Sequence, residues 1–205
     1  MHLVSIYFDE KTDKRIRQMI KAVAEQSGNT YMLDANVPPH ITIAGFETRR
    51  EDEVIEKLRC ALLKQEQGTL IWAGVGAFFP NVIYVEPVLN EYLHKLSVRV
   101  NESIINIEET KLRKCYQPFQ WLPHATIGKK LSEDEMVKAF MALQKSFGMF
   151  EGKVTRIGLA KTNPYEDIAS WEFSQRGKRE CIGIGEHYYR KNENALIINR
   201  KNDDI

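Results

Sequence analysis

"PPHITI", residues 38–43, and "LPHATI", residues 122–127, are two copies of one phrase, Pro-His-x-Thr-Ile. Short apolar runs recur by chance. This one keeps a polar His and a polar Thr two residues apart both times. Along an extended strand alternate side chains share a face. His40 and Thr42 then point one way, while Ile41 and Ile43 point the other, into a core. His124 and Thr126 repeat the pattern, with Ala125 and Ile127 facing inward. Pro39 and Pro123 stand where each strand begins, a position that tolerates a missing N–H.

The surroundings repeat as well. "LVSIYF" (3–8) is a β-branched, aromatic run that predicts a strand buried on both faces. The next segment places Ile16, Met19, Ile20 and Val23 at helical spacing, with Asp9 as its cap and Ser27-Gly28-Asn29 as its stop. The loop "TYMLDANVPP" leads to the first motif strand. Thr48 with Glu51 then matches a capping box for a helix to about Lys64, carrying Val54, Ile55, Leu58 and Leu62. "TLIWAGVGAFF" and "VIYVEP" predict strands around a turn at Pro80-Asn81.

In the second half, Asn90 caps a predicted helix with Leu93, Leu96, Val100 and Ile104. A polar loop over 108–123 reaches the second motif strand. Ser132 with Glu135 forms another capping box, opening a helix whose expected apolar stripe is Met136, Val137, Phe140 and Leu143. "KVTRIGLAKT" and "DIASWEFS" predict strands flanking a turn at Asn163-Pro164. Each half thus runs strand, helix, loop, motif strand, helix, strand. The two motif histidines are 84 residues apart, so the chain is a duplicated α+β unit rather than a solenoid, which needs more repeats. The expected organisation is one bilobal domain over 1–174, with lobes of about 1–80 and 81–174. A C-terminal extension over 175–205 has room for one extra strand and a polar tail.

Composition narrows the function classes. The chain has 205 residues, of which 43% are hydrophobic, enough for a sizeable core. Its 29 Lys and Arg nearly balance 28 Asp and Glu, so no global basic field favours long nucleic-acid tracts. A small anion held by local groups fits that balance. Cys60, Cys115 and Cys181 are widely spaced and form no C-x-x-C pair, which argues against a disulfide framework or structural zinc. The apolar start is too short for a signal h-region or a membrane span, and a cytoplasmic location is the default expectation.

One H-x-T on a strand is more often a satisfied polar pair than a site. Two copies in duplicated halves change the balance, because a pseudo-two-fold axis can bring both pairs together. A phosphodiester under in-line attack has two apical reacting oxygens and two equatorial ones. One imidazole can take a proton from the attacking hydroxyl or water, and the other can give one to the departing oxygen. The two Thr hydroxyls can donate to the equatorial oxygens, where charge must be held. Four groups meet four oxygens without a metal. A metallo-hydrolase is less well supported, since two His without a carboxylate make a thin ligand set. No G-x-S-x-G stretch and no Gly-rich phosphate loop of the required spacing is present.

"PPHITIAGF", "LPHATIGKK" and, between them, "GVGAFFPNVIYVEP" resemble the two-histidine (2H) phosphoesterase superfamily. The chain is most similar to its 2′-5′ RNA ligase family, the LigT-like RNA 2′,3′-cyclic phosphodiesterases, over about residues 1–174. The resemblance implies two antiparallel sheets flanking a central cleft, with helices outside. It implies cleavage of phosphodiesters that carry a neighbouring ribose oxygen, with no cofactor, and makes His40, Thr42, His124 and Thr126 catalytic. The expected reaction opens a 2′,3′-cyclic phosphate at an RNA or nucleotide end to a 2′-phosphate. A provisional assignment takes His124 as base and His40 as acid, which the pseudo-symmetry leaves open. Alternatives are a 2′,5′-phosphodiester hydrolase or ligase on oligonucleotides and, from another class, a non-catalytic RNA-end binder. The expected partners are RNA ends, nucleotides or short oligonucleotides, with no membrane and no obligatory protein partner.

Near the second motif Tyr116, Phe119 and Trp121 offer faces on which a base could stack, although each serves equally well as core cover. Trp121 is the preferred candidate. Lys129, with Lys130, Lys111, Arg113 and Lys114, could draw in phosphates, although solvated surface charge is the commoner explanation. Tyr165, after the Asn163-Pro164 turn, is a candidate for the cleft mouth. His2, His94 and His187 have no Thr two residues on and are expected to be structural or exposed.

Overall fold

The computed structural model describes residues 1–162 and 165–175, so the Asn163-Pro164 turn and almost all of the C-terminal extension lie outside the described residues. The β-branched and alternating runs form eight strands: β1 His2–Phe8, β2 Ile41–Glu47, β3 Gly68–Phe78, β4 Val82–Pro87, β5 Lys111–Leu112, β6 Ala125–Lys129, β7 Phe150–Lys161 and β8 Glu166–Glu172. The helices are α1 Glu10–Ser27, α2 Tyr31–Ala35, α3 Glu51–Leu62, α4 Glu91–Ile105 and α5 Glu133–Ser146. The short α2 falls in the expected loop before the first motif. The 108–123 loop holds β5 and a single 3-10 turn, Lys114–Tyr116.

The strands lie in the order β5-β2-β1-β7-β3-β4-β6, with antiparallel neighbours throughout. The first part of β7 pairs with β3 (150–154), and on the same edge its later part pairs with β8 (156–161). The two expected antiparallel sheets are therefore two arms that stay hydrogen-bonded through the start of β7 and then diverge. Around that junction β2-β1-β7 mirrors β6-β4-β3. The last strand of each sequence repeat has crossed into the other repeat's arm.

The helices are exchanged in the same way. α1 packs on α5 and β6, while α4 packs on α3 and β2. Each arm thus draws on both halves of the chain, so 1–80 and 81–174 are units of sequence and not of packing. The exchange buries the apolar face of each repeat's first helix against the other repeat's motif strand. Between the layers lie the fully buried Ile6, Ile16, Ile41, Ile43, Phe46, Leu58, Trp72, Ile83, Leu93, Leu96 and Ile104. Among the described residues no helix is long and apolar enough to cross a membrane.

Three of the four predicted caps are made. Asp9 accepts from Thr12 N at 3.0 Å, Asn90 from Leu93 N at 2.9 Å, and Ser132 with Glu135 completes its box. Gly28, at φ 82°, closes α1 in the left-handed conformation that glycine adopts without strain. The Thr48–Glu51 box is not formed. α3 starts at Glu51 behind Arg50, which gives no side-chain cap, and the Glu51 carboxylate instead meets His2 Nε2 at 3.0 Å and the Lys161 ammonium. A tertiary ion cluster has outcompeted the local motif. The stripe of α5 is also displaced, because Met136, Ala139, Ala142 and Leu143 are buried while Val137 and Phe140 face outward.

Candidate active site

Cross-strand register builds the site. Ser5 lies opposite Thr42 on one arm, and Tyr84 lies opposite Thr126 on the other. Both motif strands then carry the same bulge. The pairing passes from Thr42 to Ala44 without Ile43, and from Thr126 to Gly128 without Ile127. The unpaired Ile of each motif is 0% exposed, so each bulge sends one extra side chain into the core. It leaves His and Thr together on the opposite face.

Each histidine stands one residue before its strand and turns Nδ1 onto a local carbonyl. His40 Nδ1 is 2.7 Å from the Pro38 oxygen, and His124 Nδ1 is 2.8 Å from the Leu122 oxygen. A carbonyl can only accept, so Nδ1 carries the hydrogen in both rings and Nε2 is the free acceptor of the neutral form. The His124 ring packs edge-on against Phe78 at 4.8 Å and tilts against Tyr84 at 5.2 Å. The His40 ring lies 6.1 Å from that of Tyr7.

Loss of solvent pushes both imidazoles below their ordinary pKa, and the carbonyl bonds offset part of this. Beyond that the two differ. Charge on His124 pushes His40 down further, so the rings lie within Coulombic reach of each other. The carboxylate of Glu86 acts the other way and supports a proton on His124.

The hydroxyls are unequal too. Thr42 is buried, with Oγ1 3.2 Å from Ser5 Oγ, while Thr126 is half-buried. Beside His40, Tyr7 and Tyr165 bring their hydroxyls to 3.4 Å, and Tyr165 donates to Asp167 at 2.7 Å. The Arg156 guanidinium lies 4.0 Å over the Tyr7 ring. Burial raises the pKa of both tyrosines, so they act as neutral phenols. Beside His124, Gly76 faces Tyr84, and an added Cβ there would fall 2.5 Å from the phenol oxygen. The backbone of β3 approaches so closely that only glycine leaves Tyr84 room against His124.

Of the sequence candidates, the structure gathers His40, Thr42, His124 and Thr126 and adds Tyr165. Lys129 pairs with Val82 and so shares the face of Thr126. Trp121 is corrected: it is 8% exposed, and its Nε1 donates to the Thr42 carbonyl at 2.9 Å, so it offers no open face to a base. Phe119 is exposed and rests on His94 of α4. Tyr116 lays its ring over Gly45. His2 is structural, buried and stacked on Phe46.

Sequence reasoning missed Ser5, Tyr7, Phe78, Tyr84, Glu86 and Arg156. The duplicated frame held one signal. Ser5 and Tyr84 occupy equivalent places opposite the two Thr residues, and Tyr7 and Glu86 lie two positions further on. Among the described residues no group of three or more His, Cys, Asp or Glu side chains could hold a metal ion.

Comparison with known proteins agrees with this frame. A Geobacillus sp. (strain WCH70) protein named "Putative phosphoesterase" is 26% identical over 71% of this chain and 81% of its own length. A Bacillus cytotoxicus protein of the same description is 30% identical over 61% of this chain and 71% of its own. The crystal structure of TT0787 from Thermus thermophilus superposes with a TM-score of 0.56 at 15% identity, covering 85% of this chain and 98% of that one. LigT of E. coli in its apo form gives 0.52 at 16% identity, over 85% and 97%. Both share the two-armed α+β fold. The family model described as the 2′-5′ RNA ligase superfamily matches residues 8–166, from the end of β1 to the start of β8 and across both His-x-Thr strands. The chain belongs to the 2′-5′ RNA ligase superfamily.

Proposed function

We propose that this phosphoesterase hydrolyses 2′,3′-cyclic phosphates at RNA or nucleotide ends to 2′-phosphates, with His40 and His124 as a metal-independent base and acid. The observation that carries the reading is the matched fixing of both rings. Each Nδ1 is spent on a carbonyl, each Nε2 is free, and the two lie within Coulombic reach.

The electrostatics divide the roles. Glu86 favours a proton on His124, while charge on His124 disfavours one on His40. His40 is then the base that takes a proton from water, and His124 the acid that protonates the departing 3′-oxygen. This reverses the provisional assignment made from sequence. Thr42, its hydroxyl held by Ser5, and Thr126 donate to the equatorial oxygens as charge builds there.

The test is a chelator-treated panel of 2′,3′-cyclic nucleotides and of 2′,5′- and 3′,5′-linked dinucleotides, with 2′- and 3′-phosphate products resolved. The cyclic substrates should turn over to 2′-phosphates with chelator present. H40A and H124A should each lose about 10²–10⁴-fold in rate. Turnover of the 2′,5′-linked dinucleotides alone would move the assignment to the 2′,5′-phosphodiesterase reading, and full activity in either variant would refute the mechanism.

A further inference from the structure

Beside the reacting pair the arm of β2, β1, β7 and β8 holds a row of side chains that the hydrolysis above does not use. Ile41 lies opposite Ile6, which sets His40 beside Tyr7. Tyr7 lies opposite Arg156, and Arg156 opposite Glu172. Residues directly opposite each other share a face, so this row faces the same side as His40 and Thr42. Two strand spacings of about 4.8 Å separate the His40 and Arg156 backbones. An extended Arg side chain covers most of that span.

Arg156 is half-buried and held in one plane by the Tyr7 ring, 4.0 Å below it. Tyr7 is itself fixed, by the Tyr165 hydroxyl at 3.4 Å and by the bare backbone of Gly158, where an added Cβ would fall 3.0 Å from the ring. Asp167, at the start of β8, accepts from the Tyr165 hydroxyl at 2.7 Å. Glu172 stands 3.7 Å from Arg156 Nε and is 75% exposed, too long and too solvated to occupy the guanidinium fully. A stacked guanidinium keeps its edge N–H groups in the plane that suits phosphate oxygens. A cation so placed has no part in acid–base chemistry at the scissile phosphorus. It suits an anion one nucleotide away.

We propose that Arg156, stacked on Tyr7, binds a second phosphate of the substrate, the one a nucleotide step from the phosphate held between His40 and His124. The proposal rests on the nucleotide reading above and narrows it. The preferred substrate is a 2′,3′-cyclic end that also carries a 5′-phosphate or a further phosphodiester, not a free nucleoside cyclic phosphate. Glu172 then tempers the site, since its carboxylate competes for the same guanidinium.

Equilibrium binding of two product-like probes tests this without needing turnover: adenosine 2′,5′-bisphosphate against adenosine 2′-monophosphate, measured by calorimetry. The wild-type protein should bind the bisphosphate about 10-fold or more tightly than the monophosphate, the increment of a charge-assisted pair. R156M should erase that preference and leave monophosphate affinity within about twofold, R156K should restore part of it, and E172Q, at an exposed position, should enlarge it. Equal affinity for the two probes in the wild type, or an R156M protein that loses both alike, overturns the proposal. Failure of every cyclic phosphate to turn over would sink the reaction proposed above while leaving this binding preference intact.

Discussion

The indole Nε1 of Trp121 donates to the backbone carbonyl of Thr42 at 2.9 Å, so the approach to the second motif holds the first in place. Trp121 precedes His124 by three residues, and the bond therefore ties the two arms together at the height of the site. W121F keeps most of the bulk but leaves a buried carbonyl without its donor, at a cost of about 1–3 kcal/mol. For a chain of this size each kcal/mol lowers the melting temperature by roughly 2–4 °C. Thermal melts should show this drop while KM for cyclic nucleotides stays near wild type. Normal melting with a raised KM would instead make Trp121 a base-stacking residue.

Glu86 distinguishes the two histidines, and E86Q reads out which is the acid. The carboxylate raises the pKa of His124, so its removal lowers it. An acid must be protonated to work, and the rate falls as pH rises through its pKa. The alkaline limb of the kcat/KM profile should therefore move to lower pH in E86Q. Movement of the acid limb instead would restore His124 as the base.

Both imidazoles also make the fold sensitive to acid. Burial holds each below the ordinary value of 6.5, so the unfolded chain binds protons that the folded one resists. Stability from this source is intact above about 6.5 and falls as pH drops from there through the folded values. Denaturant melts of H40Q and H124Q should decline less steeply over that window than the wild type. Parallel declines would show that the rings are as well solvated folded as unfolded.

The bond between Ser5 and Thr42, at 3.2 Å, aims the more buried of the two hydroxyls. T42V removes a donor from the developing charge and should lower kcat by about 10²–10³-fold with KM little changed. S5A leaves the donor but frees its rotation, so a smaller loss of kcat is expected. Steady-state kinetics at saturating cyclic nucleotide would show the order, and an S5A defect equal to that of T42V would give Ser5 a direct role.

Much of the local structure was legible because it rests on short-range physics. Strand runs, helical spacing and the caps at Asp9, Asn90 and Ser132 involve neighbours within a turn or two. The paired His-x-Thr strands announced themselves through repetition. The Thr48–Glu51 cap failed for the opposite reason, since His2 and Lys161, far away in sequence, compete for the same carboxylate. Phe140 and Val137 had the hydrophobicity of core residues but lay on the side of α5 turned away from α1.

By itself, the sequence determined that two imidazoles and two hydroxyls stand on matching strands of a duplicated α+β chain. Alternation along a strand and the doubling of the motif suffice for that. Only the tertiary structure decided that β3 and β7 change places between the arms, and the place of Arg156 beside the first motif follows from that exchange. Arg156 stacks on Tyr7 beside His40 because β1 and β7, which lie far apart along the chain, are hydrogen-bonded side by side. Such pairings depend on which apolar faces can bury each other, a property of the assembled layers and of no single segment.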